Sequence, residues 1–177
     1  MLVSFPLVLP PVVTGYLLLI LLGRNGPIGG LLHTLFGVDV VFTWVAAALA
    51  AGLVALPLMV RTIEMAMIGV DPRLELAARS LGAGPLKVFL SVTIPLAYRG
   101  ILAGMLLAFA RALGEFGATV MMSPGTDGYR TIPLEIFRSY QAPGQEEAVF
   151  RLALASIMIS IVALAMSEAL IQRYRSE

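Results

Sequence analysis

An all-α polytopic membrane protein is the fold class that this chain predicts, and three observations predict it. Of its 177 residues, 59% are hydrophobic and only 13% charged, against roughly 25% charged in a soluble domain. Four apolar stretches approach the length of about 20 residues that crosses a bilayer as helix. Between the second and third stretches lies a segment of a different kind, Asp71 to Pro95, which is charged, amphipathic and punctuated by glycine and proline.

The first span is expected at Phe5–Leu22, where Pro6, Pro10 and Pro11 point to a kinked helix shielded in a bundle, because unpaired backbone cannot face lipid. The second is expected at Thr43–Val60. The third runs Leu96–Met122 and contains Arg99, Arg111 and Glu115, with Pro95 just before it. The fourth is expected at Val149–Ile171. The whole is read as one transmembrane domain, residues 1–177. Met1-Leu2-Val3-Ser4-Phe5 lacks the basic start of a secretory signal, so the chain is expected to enter a membrane segment almost at once.

Lysine and arginine bias sets orientation. Arg61, Arg73, Arg79, Lys87 and Arg99 crowd the 61–99 loop, and Arg173 and Arg175 lie near the C-terminus, whereas the 23–42 loop carries Arg24 alone. The 61–99 loop and the C-terminus are therefore expected in the cytoplasm, and the 23–42 and 123–148 loops outside.

The charged segment has readable punctuation. Asp71 can cap a helix that begins at Pro72, a favoured first residue. Leu74, Ala77, Ala78 and Leu81 then share one face, Arg73, Glu75, Arg79 and Ser80 lie largely elsewhere, and Gly82 suits the position after the helix end. Such a helix could lie on lipid or in a groove on a protein partner. Its narrow, half-alanine apolar face fits the groove better.

Two further patterns stand out in the third span. Gly100, Gly104, Ala108 and Ala112 place a small residue at every fourth position, a stripe that lets helix backbones pack closely within the bundle or against a second copy. Arg111 and Glu115, four residues apart, would cost about 5–7 kcal/mol together if both faced lipid near a helix centre. They are expected to pair inside the bundle, either lining a polar pathway or fixing helix packing. The small residues around Gly117 and Thr119 allow a bend beside them.

Several chemistries are excluded. With no cysteine and His33 as the single histidine, no site of several His or Cys ligands can form in this chain, and no metal site is expected. Gly82-Ala83-Gly84-Pro85-Leu86-Lys87 lacks the G-K-[ST] ending of a phosphate-binding loop. No catalytic constellation is visible, and a net charge of +1 gives a nucleic-acid partner no support.

The chain resembles the membrane permease subunits of bacterial binding-protein-dependent ABC importers. Their cytoplasmic motif, E-A-A-x3-G-x9-I-x-L-P, falls on Leu76, Ala77, Ala78, Gly82, Val92, Ile94 and Pro95, with Leu76 at the glutamate position and Glu75 just before it. Within that family it looks most like the molybdate permeases. The segments that carry this are Pro6 to Val13, Leu81 to Gly84, Phe109 to Thr119, and Thr131-Ile132-Pro133. Family members carry at least one span before the segment matching Phe5–Leu22, so the chain is expected to be N-terminally short.

The resemblance implies the pore-forming subunit of an ATP-driven oxyanion importer in the bacterial inner membrane, with molybdate as the expected anion and sulfate or tungstate as alternatives. It implies a homodimer, two cytoplasmic ATP-binding subunits and an extracytoplasmic oxyanion-binding protein. On this reading the chain is not an enzyme and binds no cofactor, ATP and Mg being used by the partner. The helix with Asp71, Pro72, Leu74, Glu75, Ala77, Ala78, Leu81 and Gly82 would couple to the ATPase, and Arg111, Glu115, Gly117 and Thr119 would form the gate or pathway. An ATP-independent secondary transporter, with Arg111 and Glu115 as an ion relay, is the rival from another class.

Overall fold

The computed structural model describes residues 9–123 and 130–175, the last six by backbone alone. Among them every regular element is helical: α1 Pro11–Leu22, α2 Pro27–Phe36, α3 Trp44–Ile68, α4 Pro72–Ser80, α5 Pro85–Leu113, α6 Gly117–Met122, α7 Ile132–Gln141 and α8 Glu146–Arg175. Three stretches are long and apolar enough to cross a membrane, namely α3, α5 and Glu146–Ala169 of α8. A fourth appears if α1 and α2, bent by 42° at their junction, form one broken span. The all-α polytopic expectation therefore holds, while the element boundaries shift for identifiable reasons.

The first span does not kink at Pro10 or Pro11. Pro10 is the N-cap and Pro11 opens α1, where a residue without an N–H leaves no bond unmade. The expected start at Phe5 and Pro6 lies outside the described residues. The 23–42 segment is not simply a loop, since α2 occupies its middle. His33 sits on α2, half buried, with Arg24 Nη2 3.1 Å from its Nε2 and Asp39 Oδ1 3.1 Å from its Nδ1.

The second span is longer than expected: α3 continues through Arg61 and Glu64 to Ile68. The third begins earlier, at Pro85, and Pro95 lies inside it. Proline has no N–H for the residue four back, and its ring crowds that carbonyl. The helix absorbs this by widening into a π turn over Phe89–Thr93, with the Ile94 N–H bonding the Phe89 carbonyl, and continues to Leu113. Arg61, Lys87 and Arg99 thus lie on long helices, and the true connection between α3 and α5 is residues 69–84, carrying α4. At its other end the expected continuous span to Met122 is broken at residues 114–116, and α6 is a separate six-residue helix. The 123–148 segment likewise contains α7.

Two compact units are built from these helices. One comprises the chain up to Pro57 together with Phe109–Ile161; the other comprises Leu58–Ala108 and the chain from Val162 onward. The core of the first is Ala46, Ala50 and Val54 of α3 with Ala118 and Met122 of α6, covered by Leu18, Leu19 and Leu22 of α1 and by Val40 and Val41. Here α1 lies directly on α6. A Cβ added to Gly15 would sit 2.6 Å from the Ala118 oxygen and 2.8 Å from its Cα, so the contact is backbone to backbone. The Phe42 N–H, at φ 67°, donates to the Met122 carbonyl at 2.9 Å.

In the second unit α5 packs on α3 through the small-residue stripe. A Cβ on Gly100 would collide with Ala66, and one on Gly104 would come within 3.2 Å of both Thr62 Cβ and Ile63 Cγ1. Ser167 of α8 donates to the Ala103 carbonyl at 3.3 Å. Of the remaining stripe residues, Ala108 is buried, and Ala112, which belongs to the first unit, is half buried.

Candidate coupling segment and helix-break site

Local chemistry explains α4. The Asp71 carboxylate accepts from the Arg73 N–H at 2.9 Å, and Pro72 opens the helix. At the other end the Gly82 N–H donates to the Arg79 carbonyl (2.9 Å) and the Ala83 N–H to the Ala78 carbonyl (3.1 Å). This is the paired closure of a Schellman end. Gly82 holds it with φ 84°, a backbone that side chains rarely adopt. Both helix ends expected from the sequence are therefore present.

The faces of α4 are less obvious from the sequence. Glu75 and Ala78 are half buried against the start of α5, whereas Leu74, Leu76, Ala77 and Leu81 are exposed, Leu81 at 88%. With Leu86 also exposed, this end of the second unit presents leucine to its surroundings on a helix whose backbone is fully capped. Of the four residues expected on one apolar face, Ala77 and Leu81 are exposed, Leu74 is half exposed and lines a cavity with Pro95, Leu96 and Tyr98 of α5, and Ala78 is half buried. Glu75, expected on the polar side, turns inward. Its Oε1 accepts from the Thr93 hydroxyl at 2.6 Å, and Thr93 is buried. Sequence reasoning passed over Thr93, which occupies a variable position of the motif between Val92 and Ile94. A hydroxyl set between two branched apolar residues was the available signal.

The second site belongs to the first unit. Arg111 does not sit mid-span as expected. It lies in the last turn of α5, where a cation faces the free carbonyls of a helix end favourably. Its Nη1 is 2.9 Å from Glu115 Oε2, with the arginine side chain 41% and the glutamate 3% exposed. The other carboxylate oxygen of Glu115 accepts from the Ala118 N–H at 3.0 Å. Thr119, fully buried, returns its hydroxyl to the Glu115 and Phe116 carbonyls, each at 3.0 Å.

Glu115 therefore bridges the break. One oxygen holds the end of α5 and the other caps the start of α6. Gly117 lies where α1 crosses, its virtual Cβ 3.1 Å from Pro11 Cβ and 3.3 Å from the Val12 nitrogen. Phe116 stacks at a tilt on Phe137 of α7, ring centres 5.1 Å apart. The structure brings Arg111, Glu115, Gly117 and Thr119 together. It adds Gly15, missed in the sequence because a single glycine in an apolar run carries no local signal.

This organisation has known relatives. The family model for the binding-protein-dependent transport system inner membrane component matches residues 1–176. The chain belongs to that family. This inner membrane component is 46% identical over 176 residues to the molybdenum transport system permease protein ModB of Haemophilus influenzae, covering 99% of this chain and 77% of that one. It is 50% identical over 164 residues to the ModB protein of Escherichia coli K12, covering 92% and 72%. A probable molybdenum ABC transporter permease protein of Haloferax volcanii is 45% identical over 169 residues, 96% of this chain and 60% of its own length. Membership makes the chain a multi-pass component of an importing membrane system.

Proposed function

We propose that this chain is the pore-forming subunit of an ATP-driven molybdate importer. The observation that carries the reading is the likeness, along nearly its whole length, to permeases named for molybdenum transport. Two copies would form the pore as a single permease domain each. Two ATP-binding subunits would dock on the cytoplasmic side, and an extracytoplasmic protein would deliver the anion. The chain itself would hydrolyse nothing and bind no cofactor, ATP and Mg belonging to the partner. The bias of Arg61, Arg73, Arg79, Lys87 and Arg99 supports a cytoplasmic 61–99 segment, with the C-terminus on the same side.

In this reading α4 seats in a groove of the ATPase as helix-in-groove recognition. Leu74, Ala77 and Leu81 are its exposed anchors, and Ala78 flanks them. Closure of the ATPases on ATP moves α4, and α5 carries the movement along its length as a rigid element. At its far end are Arg111 and the Glu115 bridge. There a changed angle between α5 and α6 would open or close the path lined near Gly117 and Thr119. Glu115 spends both oxygens on protein partners, which favours holding that angle over binding the passing anion.

The test is reconstitution in lipid with the partner ATPase and binding protein. ATP hydrolysis and uptake are measured with molybdate, tungstate and sulfate in turn. Uptake of molybdate that requires ATP and the loaded binding protein is the expected result. Uptake that ignores ATP and follows an ion gradient would sink the proposal.

A further inference from the structure

Building on that reading of α4, we infer that the Thr93–Glu75 hydrogen bond is the strut that passes movement of α4 into α5, making Glu75 and Thr93 positioning residues for coupled transport. The contact is local to the second unit. α4 is only nine residues long, its outer face is exposed, and it meets the start of α5 through Glu75, with Ala78 half buried nearby and Leu74 lining a cavity with Pro95 and Tyr98. Apolar contacts as small as these slide easily. A hydroxyl-to-carboxylate bond of 2.6 Å is directional and falls in the short, charge-assisted class.

Four other helical hydroxyls behave differently. A serine or threonine within a helix ordinarily returns its hydroxyl to the carbonyl four residues back. Thr34, Thr62, Ser80 and Ser91 all do so, bonding Gly30, Leu58, Leu76 and Lys87. Thr93 instead spans 18 residues of sequence to Glu75. It ends the π turn of Phe89–Thr93. That turn inserts one residue into the helical register, so each following side chain points about 100° away from where an unbroken helix would send it. The turn forced by Pro95 thus aims Thr93 at α4 and places the strut at the foot of the long helix.

The experiment uses the complete complex with partner ATPase and binding protein in vesicles, reading molybdate moved and ATP hydrolysed in the same sample. Thr93→Val and Glu75→Ala are expected to assemble at wild-type yield and still hydrolyse ATP. Molybdate moved per ATP should fall about tenfold, the shift that loss of one charge-assisted bond puts on a two-position equilibrium. Glu75→Gln, whose carbonyl still accepts from Thr93, should stay within about twofold of wild type, as should Thr93→Ser. The Glu75→Ala/Thr93→Val double variant should be no worse than either single one.

An unchanged ratio in both single variants would overturn the inference. So would fully additive losses, a glutamine variant as damaged as the alanine one, or failure of Thr93→Val to assemble, which would make the bond a docking or folding requirement. Wild-type complex that moves no molybdate would instead overturn the importer reading itself.

Discussion

Arg111 and Glu115 face each other across the end of a helix, 2.9 Å apart, one two-fifths exposed and the other buried. The asymmetry decides what each substitution does. Removing the arginine strands a buried carboxylate, whereas converting the acid to an amide removes the charge and leaves an oxygen able to accept from the Ala118 N–H. We expect Arg111→Ala to lower stability by about 1–3 kcal/mol, below the range for fully buried pairs because the arginine is partly exposed. Glu115→Gln should cost less, and adding it to Arg111→Ala should restore part of the loss. Thermal unfolding in detergent checks the order; a double variant worse than Arg111→Ala would contradict it.

The crossing of α1 over α6 rests on Gly15. Its added Cβ would meet backbone atoms of Ala118 at 2.6 and 2.8 Å, which cannot swing aside as a side-chain tip can. Gly15→Ala is expected to destabilise by about 1–3 kcal/mol through overpacking. Gly52, mid-helix with nothing within 4 Å of its virtual Cβ, is the control: Gly52→Ala should be neutral or gain up to about 1 kcal/mol from helix propensity. Equal melting temperatures for the two variants would show that the crossing tolerates a methyl group.

At Gly82 space is open and the backbone alone is demanding, with φ 84° and no atom within 4 Å of the virtual Cβ. Gly82→Asn, a residue that tolerates this region, is expected to keep transport, while the β-branched Gly82→Val should lose most of it. Both should insert normally. Uptake measured side by side in vesicles decides, and equal rates for the two would remove the helix-end geometry from the mechanism.

Leu81, the residue that closes the end of α4, is more exposed than Leu74 or Leu76 within the helix. If it anchors a partner groove, Leu81→Asp should abolish recovery of the ATPase with the permease while leaving the membrane-inserted chain at wild-type level. A buried anchor of this size is worth about 1.5–3 kcal/mol, a ten- to hundredfold loss of affinity. Co-purification at wild-type ratio would show that α4 docks by another face.

Much of this protein was legible because its causes are local or set by solvent. The apolar stretches follow from the bilayer's demand for long hydrocarbon-compatible helices. Asp71, Pro72 and Gly82 bound α4 through bonds reaching only a few residues. The Arg111–Glu115 pair follows from one turn of helical spacing. The small residues of α5 announced a close helix contact, which Gly100 and Gly104 make with α3.

What the tertiary structure decided lies beyond that range. Pro95 reads as a boundary, yet the helix passes through it, because a π turn removes the need for the missing N–H. The stretch from Leu96 to Met122 reads as one apolar span, but the chain breaks at residues 114–116. There Glu115 can bond both flanking helices and α1 can press on Gly117. Glu75 reads as a solvent-facing acid until Thr93, 18 residues on, is brought against it. In each case the sequence by itself determined which backbone groups and side chains must find partners. Only the fold determined which partners came within reach, since hydrogen bonds act over about 3 Å and only packing places distant residues that close.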